Sequence, residues 1–242
     1  MLLEIIATTA DEAVTAALHG ADRIELISDF EQGGLSPKID VVVEAVDALK
    51  RLEQSNSSAF PKIIPIHVMV RPHSQSFVYE EADLQEMITY MRSLQGTGIH
   101  AYVLGTLRTD GTIDIPSLER LLAAAGDVPV TFHRAFDEVA DQQEALSTLL
   151  HYPQIKWILT SGGKPSVIDA TDQIFRLIEQ TNGHHITILP GSGLTVAALP
   201  SFLSATKAQA VHLGTGVRLG GTAAPIDGSL VRSARQILDQ FR

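Results

Sequence analysis

Short runs rich in β-branched and large apolar residues alternate along this chain with longer segments whose apolar positions recur at helical spacing. The runs are LLEII (2–6), RIELI (23–27), IIPIHVMV (63–70), HAYVL (100–104), VPVTFH (128–133), KWILT (156–160), HITIL (185–189) and QAVHL (209–213). Several are continuous hydrophobics rather than alternations, as expected of parallel strands covered by helices on one side and packed side chains on the other.

Between the runs, capping residues, first-turn prolines and closing glycines predict helices. These run from Asp11 to Gly20, from Ser36-Pro37 through Leu52, from Asp83 to Gly96, from Pro116 to Gly126, from Asp141 to Leu150, from Pro165 to Asn182-Gly183, and over 227–240. Pro200 inside Thr195–Thr206 predicts a short helix followed by a second turn, or a kink near Leu199. Eight βα units can close into a barrel or form an open doubly wound sheet. At 242 residues the chain matches one barrel, and the expectation is an α/β fold, a (β/α)8 TIM barrel forming a single domain over 1–242. The family resemblance given below strengthens the preference for closure.

Composition narrows the partners. A 45% hydrophobic and 19% charged chain can bury a large core. Eighteen Lys+Arg against 28 Asp+Glu leave a net charge of −10 and no basic stripe, so nucleic acid is not an expected partner. With no cysteine, disulfides and thiolate chemistry are excluded. The chain opens without a basic segment followed by a long apolar one, and no 18-residue apolar stretch occurs, so no membrane partner and a cytoplasmic location are expected.

Polar residues inside apolar barrel strands are the informative ones, because alternate residues point inward and those near the carboxyl ends meet solvent in the mouth. Glu4 and Glu25 lie mid-strand, and each needs a cationic or hydrogen-bonding partner. His67, Met69 and Arg71 share parity; Thr131 and His133 share another face, with Arg134 on the opposite parity; Thr160-Ser161 end the sixth run and His212 lies in the eighth. Together they suit proton transfer beside an anionic group. A structural reading stands next to this one: Glu4 and Glu25 could tie the first two strands to Arg71, and His67 could be a satisfied core histidine. Arg71 and His133, at strand ends, are placed to meet a ligand, and Arg71 can hold a carboxylate or phosphate bidentately.

The flexible pair Gly33-Gly34 follows the second run, and the turns LPGSGL and HLGTGV, with Gly191, Gly193 and Gly214, can present amides to an anion or simply make tight turns. No metal motif occurs; His67, His133 and His212 with Glu25 would form a zinc or copper(II) site only by converging.

The segments LEI (3–5), GADRIEL (20–26), GGLSP (33–37), HVMVRP (67–72), YVLGTLRTDGTID (102–114), VTFHRAFD (130–137), ILTSGG (158–163) and PGSGL (190–194) together resemble the CutC family, described as copper homeostasis proteins. The resemblance implies a cytoplasmic (β/α)8 barrel, a homo-oligomer such as a dimer or tetramer, and copper handling as the only indicated cofactor chemistry. It marks Glu4, Glu25, Arg71, His133, Arg134, Asp137 and glycines 33, 34, 191 and 193 as the functional surface, with Asp137 pairing Arg134 or orienting a catalytic group. It attaches copper(I) to cysteines, which this chain lacks, so copper handling here would use histidines or an indirect metabolic route. Three functions follow for the mouth: copper homeostasis, a metal-independent lyase, isomerase or hydrolase acting on a small anionic or phosphorylated metabolite, and a non-catalytic ligand-binding barrel.

Overall fold

A computed structural model describes residues 1–55 and 64–241. The strands are β1 (Leu2–Ala7), β2 (Arg23–Leu26), β3 (Ile66–Met69), β4 (Ala101–Leu104), β5 (Val130–Phe132), β6 (Ile155–Thr160), β7 (Thr187–Pro190) and β8 (Ala210–Leu213). Each is followed by its helix: α1 (Ala10–Leu18), α2 (Ile39–Ser55), α3 (Glu81–Ser93), α4 (Ile115–Ala125), α5 (Gln142–Leu149), α6 (Thr171–Thr181), α7 (Leu199–Thr206) and α8 (Gly228–Gln240). All the ladders are parallel and run in the order β7-β6-β5-β4-β3-β2-β1-β8, so the fold is the expected (β/α)8 barrel rather than an open doubly wound sheet. β7 and β8 lie side by side and close the ring, with no ladder between them among the described residues.

Several element boundaries differ from the expected ones. Ile63, the first residue of the third apolar run, lies outside the described residues. The sixth helix starts at Thr171, not Pro165, because Lys164 and Pro165 line the barrel mouth and a 3-10 turn, Val167–Ala170, intervenes. Pro200 sits in the first turn of α7, where its missing N–H costs nothing, and a 3-10 turn at Val196–Ala198 takes the place of the expected kink.

The register shows why the strands read as nearly continuous hydrophobics. Glu4 stands opposite Arg23 and His212, and Ile6 opposite Glu25, which in turn faces His67. One parity, including Leu3, Ile5, Ile24, Leu26, Ile66 and Val68, packs outward in the main core with the helices. The other parity fills the barrel. There Ile6, Ile27, Met69 and Val103 form one apolar cluster, and Leu159, Leu189 and Ala210 form a second. Glu4, Arg23, Glu25, His67 and His212 share that inward parity without belonging to either cluster, so a polar belt crosses the barrel's interior. No helix among the described residues is long and apolar enough to cross a membrane.

Candidate functional site

At the carboxyl ends of the strands a cavity of about 630 Å³ is walled by Glu25, Arg71, His133, Arg134, Asp137 and His212, with Phe30, Phe77, Lys164, Ser192 and the glycines 33, 193 and 214 around them. Of the residues singled out in the sequence, Glu4, His67, Gly34, Thr160, Ser161 and Gly191 are not part of this wall.

Glu4 lies deeper and is fully buried. Its Oε2 accepts from Arg23 Nε at 2.5 Å and its Oε1 from His212 Nδ1 at 2.7 Å. The expected tie from Glu4 and Glu25 to Arg71 is corrected here: the cation is Arg23, placed opposite Glu4 by the β1–β2 register. Arg23 also stacks on Trp157, 4.4 Å from the ring centroid. His67 lies toward the amino-terminal end, where it lines a separate cavity of about 500 Å³ with Arg23, His100 and Trp157. Its Nδ1 is 3.3 Å from Thr131 Oγ1, matching the satisfied core histidine. Burial and the Arg23 charge press its pKa well below the ordinary imidazole value.

Burial alone would raise the Glu4 carboxyl, but Arg23 and His212 hold it down at about 2. For Glu25, burial dominates and the neighbouring Glu4 charge adds to it, so the carboxyl stands at about 7 despite the opposing pull of His212. Its Oε2 lies 3.8 Å from His212 Nε2, and its buried Oε1 has no hydrogen-bond partner among the described residues. His212 is raised above the ordinary imidazole value: burial works against the charge, and Glu25 and Glu4 outweigh it. His133 is driven to about 3 by burial and by Arg71, so it is neutral. Its Nδ1 accepts from Ala135 N–H at 3.2 Å, which leaves the proton on Nε2, a buried donor with no partner among the described residues.

Arg71 is only 7% exposed, yet its hydrogen bonds run to the main-chain oxygens of Gly33, Gly34 and Ser74 at 3.5, 3.4 and 3.4 Å. Its guanidinium lies 4.5 Å from the Phe77 ring centroid, and Phe77 in turn packs on His133.

Asp137 is saturated. It accepts from Thr160 Oγ1 (2.5 Å), Ser161 N (2.9 Å), Ser161 Oγ (2.9 Å), Gly163 N (3.2 Å) and Arg134 Nε (2.8 Å). Asp137 thus clamps the loop after β5 to the loop after β6 and pairs with Arg134, and Thr160 and Ser161 serve that clamp rather than a ligand.

The glycines mostly make room. Gly33 and Gly34 turn carbonyls, not amides, toward Arg71. The Gly191 N–H is spent on Thr160 O at 3.0 Å, which removes it from any anion site. A Cβ there would stand 2.8 Å from His212 Cδ2 and 2.9 Å from Leu159 Cδ1. Gly191→Ala is therefore expected to displace the His212 ring and to cost about 1–3 kcal/mol of unfolding free energy in urea titrations; an unchanged midpoint would show that the ring adapts freely. Gly105 does the same for His133, whose Nδ1 a Cβ would approach to 2.7 Å; it lies in the YVLGTLRTDGTID segment but was not singled out as a site residue. Arg23 was also missed, although its parity matches Glu25 on one strand.

For metals, no site was expected unless His67, His133 and His212 converged with Glu25, and they do not: His67 faces Thr131 and His133 Nδ1 is held by a backbone amide. Among the described residues the one group with donor atoms within 4.8 Å of one another is Glu4, Glu25 and His212. Arg23 and the His212 N–H each engage one Glu4 oxygen, which ties this trio into an ion-pair network.

Fold and site together define a (β/α)8 barrel whose mouth gathers an unmatched guanidinium, a high-pKa carboxyl and a neutral imidazole donor. The chain belongs to the CutC family, whose model matches residues 1–217. A CutC family protein from Klebsiella pneumoniae is 36% identical over 215 residues, 89% of this chain and 80% of that one. The human copper homeostasis protein cutC homolog is 36% identical over 211 residues, 87% of this chain and 72% of its own. A crystal structure of CutC from Streptococcus agalactiae superposes with a TM-score of 0.79 at 28% identity, covering 89% of this chain and 98% of that one. Phosphoribosylanthranilate isomerase from Thermotoga maritima, at 12% identity, 99% coverage of each chain and a TM-score of 0.62, shares the fold alone.

Proposed function

We propose that this chain is a metal-independent acid–base enzyme, a lyase, isomerase or hydrolase, acting on a small anionic metabolite bound in the barrel mouth. The observation that carries the reading is Arg71. The other arginines buried to this degree, Arg23 and Arg218, each have a carboxylate, Glu4 and Glu12, whereas none lies within 4 Å of Arg71 among the described residues. A buried cation without a counter-ion is costly, and an anionic ligand supplies the missing partner. Glu25, with a pKa near the working pH, takes up or returns the proton, and the neutral His133 N–H stabilises oxygen charge as it develops. The cytoplasmic placement and homo-oligomeric assembly implied by the resemblance are part of the same proposal.

Copper homeostasis is what the human relative's name states, and the residues here do not fit the ion. Copper(I) selects thiolate and thioether sulfur, but the chain has no cysteine and four methionines, of which Met69 packs in the interior apolar cluster. A contribution to copper homeostasis would therefore run through the metabolite. The test is solvent-deuterium incorporation, followed by proton NMR over a panel of small carboxylates and phosphorylated acids. Wild type is expected to label at least one of them, and Glu25→Gln to label it about 10²–10⁴-fold more slowly. Equal rates in both proteins would end the proposal.

A further inference from the structure

We propose that His212 is the proton-relay partner of Glu25, and that Glu4, pinned by Arg23, is the positioning residue that holds the His212 imidazole with Nε2 toward Glu25. The inference rests on the reading of the mouth as an acid–base site. Its basis is strand register: Glu4 stands directly opposite His212 on β8 and Arg23 on β2, all on the inward parity. The constellation is thus built on strands and not on loops, which is where a precise alignment is best held.

Glu4 cannot be the base itself. Both its oxygens are engaged, it is fully buried, and it is not part of the cavity wall. What it can do is fix a tautomer. An ionised carboxylate only accepts, so the contact at 2.7 Å requires a proton on His212 Nδ1 and leaves the Nε2 lone pair free in the neutral ring. That nitrogen lies 3.8 Å from Glu25 Oε2, beyond a hydrogen bond in this state and within reach of one after a small side-chain rotation. Both His212 and Glu25 line the mouth.

The proton inventory balances without redox chemistry. A C–H or O–H bond of the ligand breaks, its proton joins Glu25 Oε2, and the ligand keeps the electron pair. The Glu25 O–H proton then passes to His212 Nε2, giving an imidazolium that retains its Nδ1–H and sits against the Glu4 carboxylate. Reversal returns the proton to the product. The groups facing this path are Glu4 from β1, Arg23 from β2 and His67 from β3, whose Nδ1 is 3.9 Å from Glu4 Oε2. His67 stays neutral under burial and the Arg23 charge, so it does not compete with His212 for Glu4. Burial raises Glu25 to about 7 and the two carboxylates raise His212, so both groups are shifted in the direction that lets them share a proton.

The test is ¹⁵N NMR of the full chain labelled at histidine. In wild type the neutral His212 is expected to be purely the Nδ1–H tautomer. Glu4→Gln should populate the Nε2–H tautomer and lower the His212 midpoint by about one pH unit or more, a tenfold change in proton affinity. If Glu4→Gln fails to fold, Glu25→Gln carries the test, lowering the midpoint while leaving the tautomer fixed. A mixed tautomer in wild type, or variants that leave the His212 midpoint unmoved, overturns the relay. An unpinned His212 with acetate still binding through Arg71 overturns the relay alone, whereas acetate affinity equal in wild type and Arg71→Met overturns the reading of the mouth and not the Glu4–His212 geometry.

Discussion

Arg71→Met is expected to weaken the binding of small carboxylates such as malonate by about 30-fold to several thousand-fold while leaving the unfolding free energy unchanged or higher. The two halves of this result come from one fact. Removing one partner of a buried, hydrogen-bonded charge pair costs about 2–5 kcal/mol of binding, and every 1.4 kcal/mol is about tenfold. Within the chain Arg71 has no carboxylate partner: it makes main-chain contacts at 3.4–3.5 Å, near the limit of a hydrogen bond, stacks on Phe77 and meets the neutral Tyr79 hydroxyl. Replacing a poorly compensated buried ion by an apolar side chain of similar volume is commonly neutral or stabilising. Calorimetric titration with malonate gives the first quantity and urea unfolding the second. A variant that binds as well as wild type removes the anion site. One that keeps its affinity and loses several kcal/mol of stability instead makes Arg71 a clasp for the Gly33-Gly34 and Ser74 loops.

The parity of single strands was enough to place Glu25, Arg71, His133 and His212 on the inner face, because alternation is a local property of a strand. Depth along a single strand is local as well: Arg71 lies beyond the last residue of β3, at the mouth, while His67, earlier on the same segment, stands beside Glu25 and Ala101. Register between strands is not local and appears only when the sheet closes, and it brought Arg23, not Arg71, to Glu4. Glycine spacing predicted turns at 191 and 193 but could not tell whether an amide was free, and the Gly191 N–H proved to be spent on Thr160 O. In the Thr160-Ser161 pair the hydroxyls suggested a ligand, and the clamp on Asp137 is visible only once β5 and β6 pair. The fold was therefore almost wholly legible, and the site was legible in its inward-facing members but not in their cross-strand partners.

The difference in stability between Glu25→Gln and wild type is expected to grow with pH, from a constant offset at pH 4.5 to on the order of 3 kcal/mol more in favour of the variant by pH 8. In the folded protein the Glu25 carboxyl keeps its proton up to about 7, against 4.5 when unperturbed. Between those values the folded state binds the extra proton, so raising the pH favours unfolding; the stabilising proton is fully present below about 4.5 and lost as pH rises through 7. A shift of this size, at about 1.4 kcal/mol per pH unit, gives the order of magnitude. His133, neutral down to about 3, has the opposite sign, binding its proton only in the unfolded chain and so favouring folding as pH rises toward 6.5, as does His67. Those contributions are common to both proteins and cancel in the difference, which is why the comparison isolates Glu25. His212 does not cancel completely, because it and Glu25 titrate as a pair, so the midpoint of the growing gap belongs to the pair. The buried amide introduced by Glu25→Gln adds only a pH-independent offset, which makes the slope the quantity to read from urea midpoints at pH 4.5, 6 and 8. A flat gap would mean that Glu25 ionises in the fold as readily as in water, and a carboxylate of that kind could not be the base of the mouth.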